Sequence, residues 1–136
     1  MQYTTLFRLA YVAACLSVFS GSASGHHSFA PFDRAEKISV NGTVKELQWG
    51  NPHVWLQVIA PDKDGVLEEW SFEATGISPM RRIGWSPTVV KPGDKLVLEA
   101  HPLKDGRRGG QLLSVILPDG KVLKAYQQLE DDLNIK

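Results

Sequence analysis

Apolar and polar residues alternate along most of the chain after residue 35, with the two-residue period of strands that bury one face. Within residues 36–49, the apolar positions are even-numbered up to Val44, whereas Leu47 and Trp49 are odd-numbered. A change of parity inside one strand indicates a β-bulge, here near residues 45–46, together with a strong bend. The pattern therefore predicts a long, bent first strand.

Four more strands and one short helix follow. Trp70 and Phe72 share a parity that we expect to face inward, and an Asp-Gly turn joins the second strand to the third. Ser78 fits a helix N-cap and Gly84 fits the residue that closes a helix. The predicted strands cover residues 36–49, 53–60, 66–74, 95–101 and 111–117, and the predicted helix covers residues 78–84.

This element order predicts an all-β fold with one short helix. Three strands, a helix and two further strands follow one another in a small five-stranded Greek-key barrel of the oligonucleotide/oligosaccharide-binding (OB) type. Closing the barrel removes the exposed edges that a small open sheet would leave. A small β-sandwich with a helical connection is the alternative.

The first 25 residues have the features of a secretory signal peptide. Arg8 supplies the positive charge, residues 9–19 form an apolar run, and residues 20–25 are all small. Eleven helical residues rise only about 16 Å, which is too short for a bilayer core of about 30 Å. We therefore expect a cleaved signal and a periplasmic or secreted protein without a stable membrane anchor. A lipoprotein attached through Cys15 is the less favoured alternative.

Composition and charge exclude several classes of protein. The apolar content of 43% is too high for a disordered chain. The single cysteine cannot form a disulfide framework. Fifteen basic residues balance 15 acidic residues, and removal of Arg8 with the signal leaves a net charge of −1. Nucleic acid is therefore not expected as a partner, because its binding requires a clear basic excess.

Several short motifs resemble those of a known family. They are His-His-Ser-Phe-Ala at residues 26–30, Trp-Gly-Asn-Pro-His-Val-Trp at residues 49–55, Arg-Arg-Ile-Gly-Trp at residues 81–85 and Lys-Pro-Gly-Asp at residues 91–94. In this order they resemble a family of small exported bacterial proteins of unknown function, over most of residues 26–123. The resemblance implies export and a small β-domain, but no activity. The loop at residues 107–110 departs from the family pattern.

Histidines provide the only group of side chains with distinctive chemistry. Cleavage after residue 23, 24 or 25 would leave His26 or His27 at or near a new amino terminus, where amine, amide and imidazole nitrogens together suit copper. His53 is a further candidate ligand. The alternative is that these are structural or surface histidines, with His53 satisfied by nearby carbonyls and His101 on a solvent face beside Glu99.

A ligand-binding face is predicted on the second and third strands, where OB barrels bind their ligands. Trp55 has the opposite parity to the apolar residues beside it, so we expect it on the outer surface, next to His53 and with Asn51 in the preceding turn. Arg81 and Arg82 are candidates for binding an anion or an acidic partner. Alternatively, these arginines are solvated charges balanced by Glu68, Glu69 and Glu73.

Four segments result: a signal peptide (1–25), an N-terminal leader (26–35), the barrel domain (36–125) and a polar C-terminal tail (126–136). No catalytic motif occurs in the sequence. The function that we expect is an exported, non-enzymatic module that binds a small ligand or a protein partner. The alternative is a periplasmic copper-binding protein that uses the mature N-terminus and histidines, and an enzyme built on such a copper is a third, weaker class.

Overall fold

The structure, a computed structural model, describes residues 31–126. Strands and one helix of this part are β1 (Ile38–Gln48), β2 (Trp55–Pro61), β3 (Leu67–Glu73), α1 (Ile77–Arg82), β4 (Lys95–Pro102), β5 (Gly109–Ile116) and β6 (Val122–Lys124). Within these residues no helix is both long enough and apolar enough to cross a bilayer.

Five of the strands close into a barrel. β1 pairs antiparallel with β2 and β4, β2 pairs with β3, and β4 pairs with β5. A short parallel pairing between β3 and β5 completes the circle, and we call it the seam. The predicted five-stranded barrel with one short helix is confirmed. β6 is an additional short strand on β5 that the sequence pattern did not predict, because three residues are too few to show a period.

The bend in β1 lets one strand serve two neighbours. Its first half pairs with β4 and its second half with β2. Val44 lies opposite Val58 and Glu46 lies opposite Gln57, so Lys45 is the extra residue of a bulge. The predicted bulge is therefore confirmed.

Apolar side chains from every barrel strand and from α1 fill the interior. On β2 the alternation is complete: Leu56, Val58 and Ala60 are buried, whereas the residues between them are partly exposed. Phe72 is fully buried, and the half-buried Trp70 stacks on it with ring centroids 6.3 Å apart. The largest fully buried side chains are Phe72, Leu56, Met80, Leu98, Leu112, Val54, Val58 and Val115.

The helix begins earlier than predicted. Its N-cap is Gly76, and Ser78 lies inside the first turn, so the prediction of Ser78 as the cap was wrong. Asn51 Oδ1 accepts a hydrogen bond of 3.1 Å from the backbone N–H of Ile77, which satisfies a donor that a cap would otherwise bind. This partner lies 26 residues away, so the local pattern could not reveal it. Gly84 follows the helix with φ of +95°, as predicted.

Two adjacent glycines allow the barrel to close. β5 begins at Gly109, two residues before the predicted start. A Cβ atom on Gly109 would lie 2.0 Å from the carbonyl oxygen of Ser71, and one on Gly110 would lie 2.1 Å from that of His101. These two glycines thus let β5 approach β3 and β4.

Candidate functional site

A groove of about 370 Å³ lies on the outer surface of the barrel, beside the seam. It is lined by residues of β2, β3 and β5, of the β4–β5 loop and of the segment before β1, namely Pro31, Phe32, Trp55, Ser71, Glu73, Leu103, Arg107, Arg108 and Gly110. OB barrels bind ligands on this face of strands 2 and 3, next to this loop. Its volume lies within the range of small-molecule pockets.

Trp55 lies on the outer face of the barrel, as its parity predicted. The neighbouring Val54 and Leu56 are fully buried, whereas Trp55 is half-buried and lines the groove. It is flanked by Gln48 on β1 and Glu73 on β3 in the strand register. An indole is therefore presented between an amide and a carboxylate.

His53 is joined to the groove through Glu73. Its Nδ1 lies 2.6 Å from Glu73 Oε1, and both side chains are largely buried, with exposures of 29% and 19%. A carboxylate at this distance fixes the orientation of the imidazole ring. The sequence suggested nearby carbonyl groups as partners for His53. In the structure, the partner of its Nδ1 is instead the Glu73 carboxylate on β3.

The β4–β5 loop is held by ion pairs. Arg107 Nε lies 2.7 Å from Asp105 Oδ2 within the loop. Arg108 Nη2 lies 3.2 Å from Asp62 Oδ2 and 3.5 Å from Glu68 Oε1, which connects the loop to the β2–β3 hairpin. Both arginines line the groove, so these contacts determine the position of one of its walls.

The hydrogen bonds around Asp62 and Asp105 lower the pKa of both carboxyl groups. For Asp62, the backbone N–H groups of Val66 and Asp64 are the main cause, and Arg108 adds to the effect. For Asp105, the backbone N–H and the side chain of Arg107 lower the pKa. Both carboxyl groups therefore stay ionised to a lower pH than an unperturbed aspartate.

The segment before β1 forms another wall of the groove. Phe32 is buried and forms an isolated antiparallel bridge with Leu103. Lys104 donates its backbone N–H to the carbonyl of Pro31 at 2.9 Å, and Asp33 donates to that of Pro102 at 2.8 Å. Pro31 and Phe32 are therefore fixed beside the groove.

Three residues predicted for ligand binding do not line this groove. Asn51 bonds to the start of α1, as described above. Arg81 and Arg82 are exposed on α1, where Arg82 Nη1 lies 3.5 Å from Ser78 Oγ. The structure brings only Trp55, and His53 through Glu73, to the groove.

The acidic residues expected to balance the helix arginines have other partners. Glu69 pairs with Lys45, Glu68 with Arg108, and Glu73 with His53. The expectation that these carboxylates balance Arg81 and Arg82 was therefore wrong. Of the three, only Glu68 meets the β4–β5 loop, through Arg108, which lies 40 residues later in the chain, and no local pattern predicted that contact.

His101 is buried, which corrects the expectation that it lies on a solvent face. Only 8% of it is exposed, and its Nδ1 lies 2.7 Å from the carbonyl oxygen of Glu36. It lies opposite the buried Gln111, whose side chain bonds to Tyr126. Burial raises the pKa of the Tyr126 hydroxyl. Glu36 and Tyr126 thus provide polar partners for His101 and Gln111.

Of the three predicted metal ligands, the structure describes His53 alone. His26 and His27 lie outside the described residues. Among residues 31–126, no three His, Cys, Asp or Glu side chains are grouped to hold a metal ion. The described part of the chain contributes the His53–Glu73 pair, which resembles the carboxylate–histidine pairs that often support metal sites.

Sequence reasoning missed much of the groove. Ser71 and Glu73 alternate with the inward-facing Trp70 and Phe72, so the outward face of β3 was predicted for them. No local pattern marked them as neighbours of Trp55. Arg107 and Arg108 carried a stronger signal, because the Gly-Gly pair after them marks a close backbone approach. Phe32 resembled part of a loose leader.

Comparison with known proteins identifies the family but not the activity. No curated protein and no solved structure shows a significant match to this chain. A family model does match, over residues 13–112, which is most of the chain. The chain belongs to DUF6152, a family of unknown function.

Proposed function

We propose that this protein is an exported, non-enzymatic binding module that takes its ligand in the groove beside Trp55. The observation that carries the proposal is the groove itself, because a half-buried indole, a hydroxyl, a carboxylate and two guanidinium groups converge there. This lining provides an apolar platform with a few fixed polar groups, which is the usual composition of a small-molecule site. The proposed ligand face agrees with the one that OB barrels use.

Preorganisation supports binding at this place. Glu73 is oriented by His53, and Arg108 is held by two carboxylates before any ligand arrives. Groups that are already ordered lose less conformational freedom on binding. The arginines on α1 have no comparable fixation, since Arg82 makes one long contact and both are exposed.

A thermal-shift screen of small metabolites, sugars and peptides tests this proposal. A compound that raises the melting temperature of the wild-type chain should lose its effect with Trp55→Ala and keep it with the control Arg81→Ala/Arg82→Ala. Circular dichroism of each variant verifies that the barrel is folded. Binding that depends on the helix arginines and not on Trp55 would contradict the proposal.

Export rests on the sequence of the first 25 residues and has its own test. We propose that these residues are a signal peptide that is removed after residue 23, 24 or 25. Expression of the full-length sequence in a Gram-negative host, followed by cell fractionation and N-terminal sequencing, should find the shortened chain in the periplasm. A chain that keeps Met1 in the cytoplasm would disprove export.

Copper binding by the mature N-terminus is the second candidate function. Its supporting observation is that Pro31 and Glu73 line the same groove, and Glu73 orients His53. His27 lies four positions before Pro31, and four residue steps span at most about 14 Å when extended, so the terminal histidines can reach this pair. His26, His27 and His53 would then provide nitrogen ligands, which suit Cu(II).

A copper titration distinguishes a built site from simple chelation by a terminal amine. The exported protein is titrated with Cu(II) and followed by visible absorption and electron paramagnetic resonance. Substitution His53→Ala should change the spectrum and weaken binding at least 10-fold, because a ligand is lost. An unchanged spectrum in His53→Ala, with loss of binding only in His26→Ala or His27→Ala, would rule out a site shared with the barrel.

A further inference from the structure

We infer that the ligand of this groove is a neutral oligosaccharide, an inference that rests on the proposed binding function. The groove combines an apolar wall with a polar one. Trp55, Phe32 and Leu103 provide the apolar surface, whereas Ser71 and Glu73 provide a hydroxyl and a carboxylate. A sugar ring has the complementary form, since its C–H groups make an apolar face and its hydroxyls make a polar rim.

The ionic partners of the groove favour an uncharged ligand. Arg107 is paired with Asp105, Arg108 with Asp62 and Glu68, and Glu73 with His53. Each arginine is thus already compensated by a carboxylate. A neutral ligand can bond to the remaining donors and acceptors of these groups without separating a pair, whereas a charged ligand would have to displace one.

The outer face around the groove also disfavours nucleic acid, the other ligand class of OB barrels. Glu46, Glu69 and Glu73 all lie on the outer face of the three-stranded half of the barrel. Lys45 is the cation paired with Glu69 there. Phosphate binding depends on a positive surface, and these carboxylates would repel it.

Two rows of side chains extend the site beyond one sugar ring. Strand register places Gln48, Trp55 and Glu73 in one row across three strands. The adjacent row holds Glu46, Gln57 and Ser71. Each row spans about 10 Å and the rows are about 7 Å apart, from ordinary strand geometry. The aromatic residue is therefore surrounded by amide, carboxylate and hydroxyl groups that can bond to successive hydroxyls of a chain.

An array of neutral oligosaccharides, followed by calorimetry with each hit, tests the inference on protein expressed from the full-length sequence. A hit should bind with little dependence on salt. Trp55→Ala should weaken it at least 10-fold, Trp55→Phe should restore most of the affinity, and Gln57→Ala should weaken it about 3-fold. Arg81→Ala/Arg82→Ala is the matched control and should bind like the wild type.

Two further probes separate failure of this inference from failure of the proposed function. Oligothymidylate and a pool of random peptides are tested on the same variants. Trp55-dependent binding of either probe, with no binding of any arrayed sugar, would overturn the carbohydrate inference and leave a binding groove. Absence of Trp55-dependent binding by all three classes would overturn both.

Discussion

The helix side of the barrel and the seam side are stabilised in different ways. On the helix side, Met80 and Trp85 are buried in the core, and the only polar requirement of Trp85 is met by Lys124, whose carbonyl accepts the indole N–H at 2.7 Å. At the seam, only three residue pairs join β3 to β5. Two glycines, the contact of His53 with Glu73 and the ion pairs of Arg108 hold the surrounding groove. Apolar burial maintains the first region, and close backbone approach with charge pairing maintains the second.

This difference supports placing the proposed binding site at the seam and not on the helix side. Charged side chains held above a solvent-exposed seam keep donors and acceptors available to a ligand. A packed apolar core has none to offer, and the arginines of α1 project away from it into solvent. The two arginine pairs look alike in the sequence, but only Arg107 and Arg108 line a groove.

The largest expected effect is at the seam. Substitution Gly109→Ala places a Cβ atom 2.0 Å from the carbonyl oxygen of Ser71, so β5 must move away from β3. We expect a loss of about 3 kcal/mol or more in the free energy of unfolding, measured by urea denaturation. The control is Gly50→Ala, where the added Cβ meets nothing within 4 Å. Equal stability of the two variants would show that the seam tolerates separation.

A smaller effect is expected on the helix side. Trp85→Phe keeps most of the buried apolar area but removes the donor to the Lys124 carbonyl. We expect a loss of about 1–2 kcal/mol in the free energy of unfolding. Trp55→Phe, at a half-buried position, should change stability by less than about 0.5 kcal/mol. A larger loss at Trp55 than at Trp85 would reverse the assignment of core and ligand face.

Acid should loosen the seam region before the helix side. The folded-state pKa of Asp62 lies below its unfolded value, so its contribution to stability is complete above the unfolded pKa and is lost as pH falls through the folded pKa. Asp105 behaves in the same direction. NMR titration below about pH 4 should therefore shift the amides of Asp64 and Val66 together with the loop of Arg108.

The variant Asp62→Asn should remove that part of the acid response. Asp64→Asn is the control, because the Asp62 carboxylate, not that of Asp64, accepts the turn hydrogen bonds and meets Arg108. An unchanged titration of the Arg108 loop in Asp62→Asn would show that this carboxylate does not anchor it.

The smallest expected effect is on α1. Arg81→Ala/Arg82→Ala removes two exposed charges. Their described contact is that of Arg82 Nη1 with Ser78 Oγ, at 3.5 Å. Stability should change by less than about 0.5 kcal/mol, since exposed charges contribute little. A loss of ligand binding in this variant would move the functional surface from the seam to the helix.

The element order and the first strand could be read directly from the chain. The change of parity near Lys45 predicted the bulge. Turn residues predicted strand boundaries close to those in the structure. Errors occurred where a distant residue decided a local outcome. Asn51 replaced Ser78 at the start of α1, and His101, expected on a solvent face, is buried with its Nδ1 beside the carbonyl of Glu36, 65 residues away.

The candidate site was predictable in part. Trp55 could be placed on the outer face because side chains alternate between the two faces of a strand, and its apolar neighbours take the inner face. Glu73, Arg108 and Phe32 could not be assigned to the same groove, since they come from three segments that meet only when the barrel closes. The contact of His53, two residues before β2, with Glu73 at the end of β3 depends on the register of these strands.

By itself, the sequence determined the all-β barrel order, the bent first strand and the outward position of Trp55, because hydrophobic period and turn chemistry are local properties. Tertiary structure alone decided which charges meet, where α1 begins and which loop lines the groove. The physical reason is that these outcomes depend on contacts between distant segments. The parallel pairing of β3 with β5 joins residues about 40 positions apart, and Asn51 meets the start of α1 from 26 positions away.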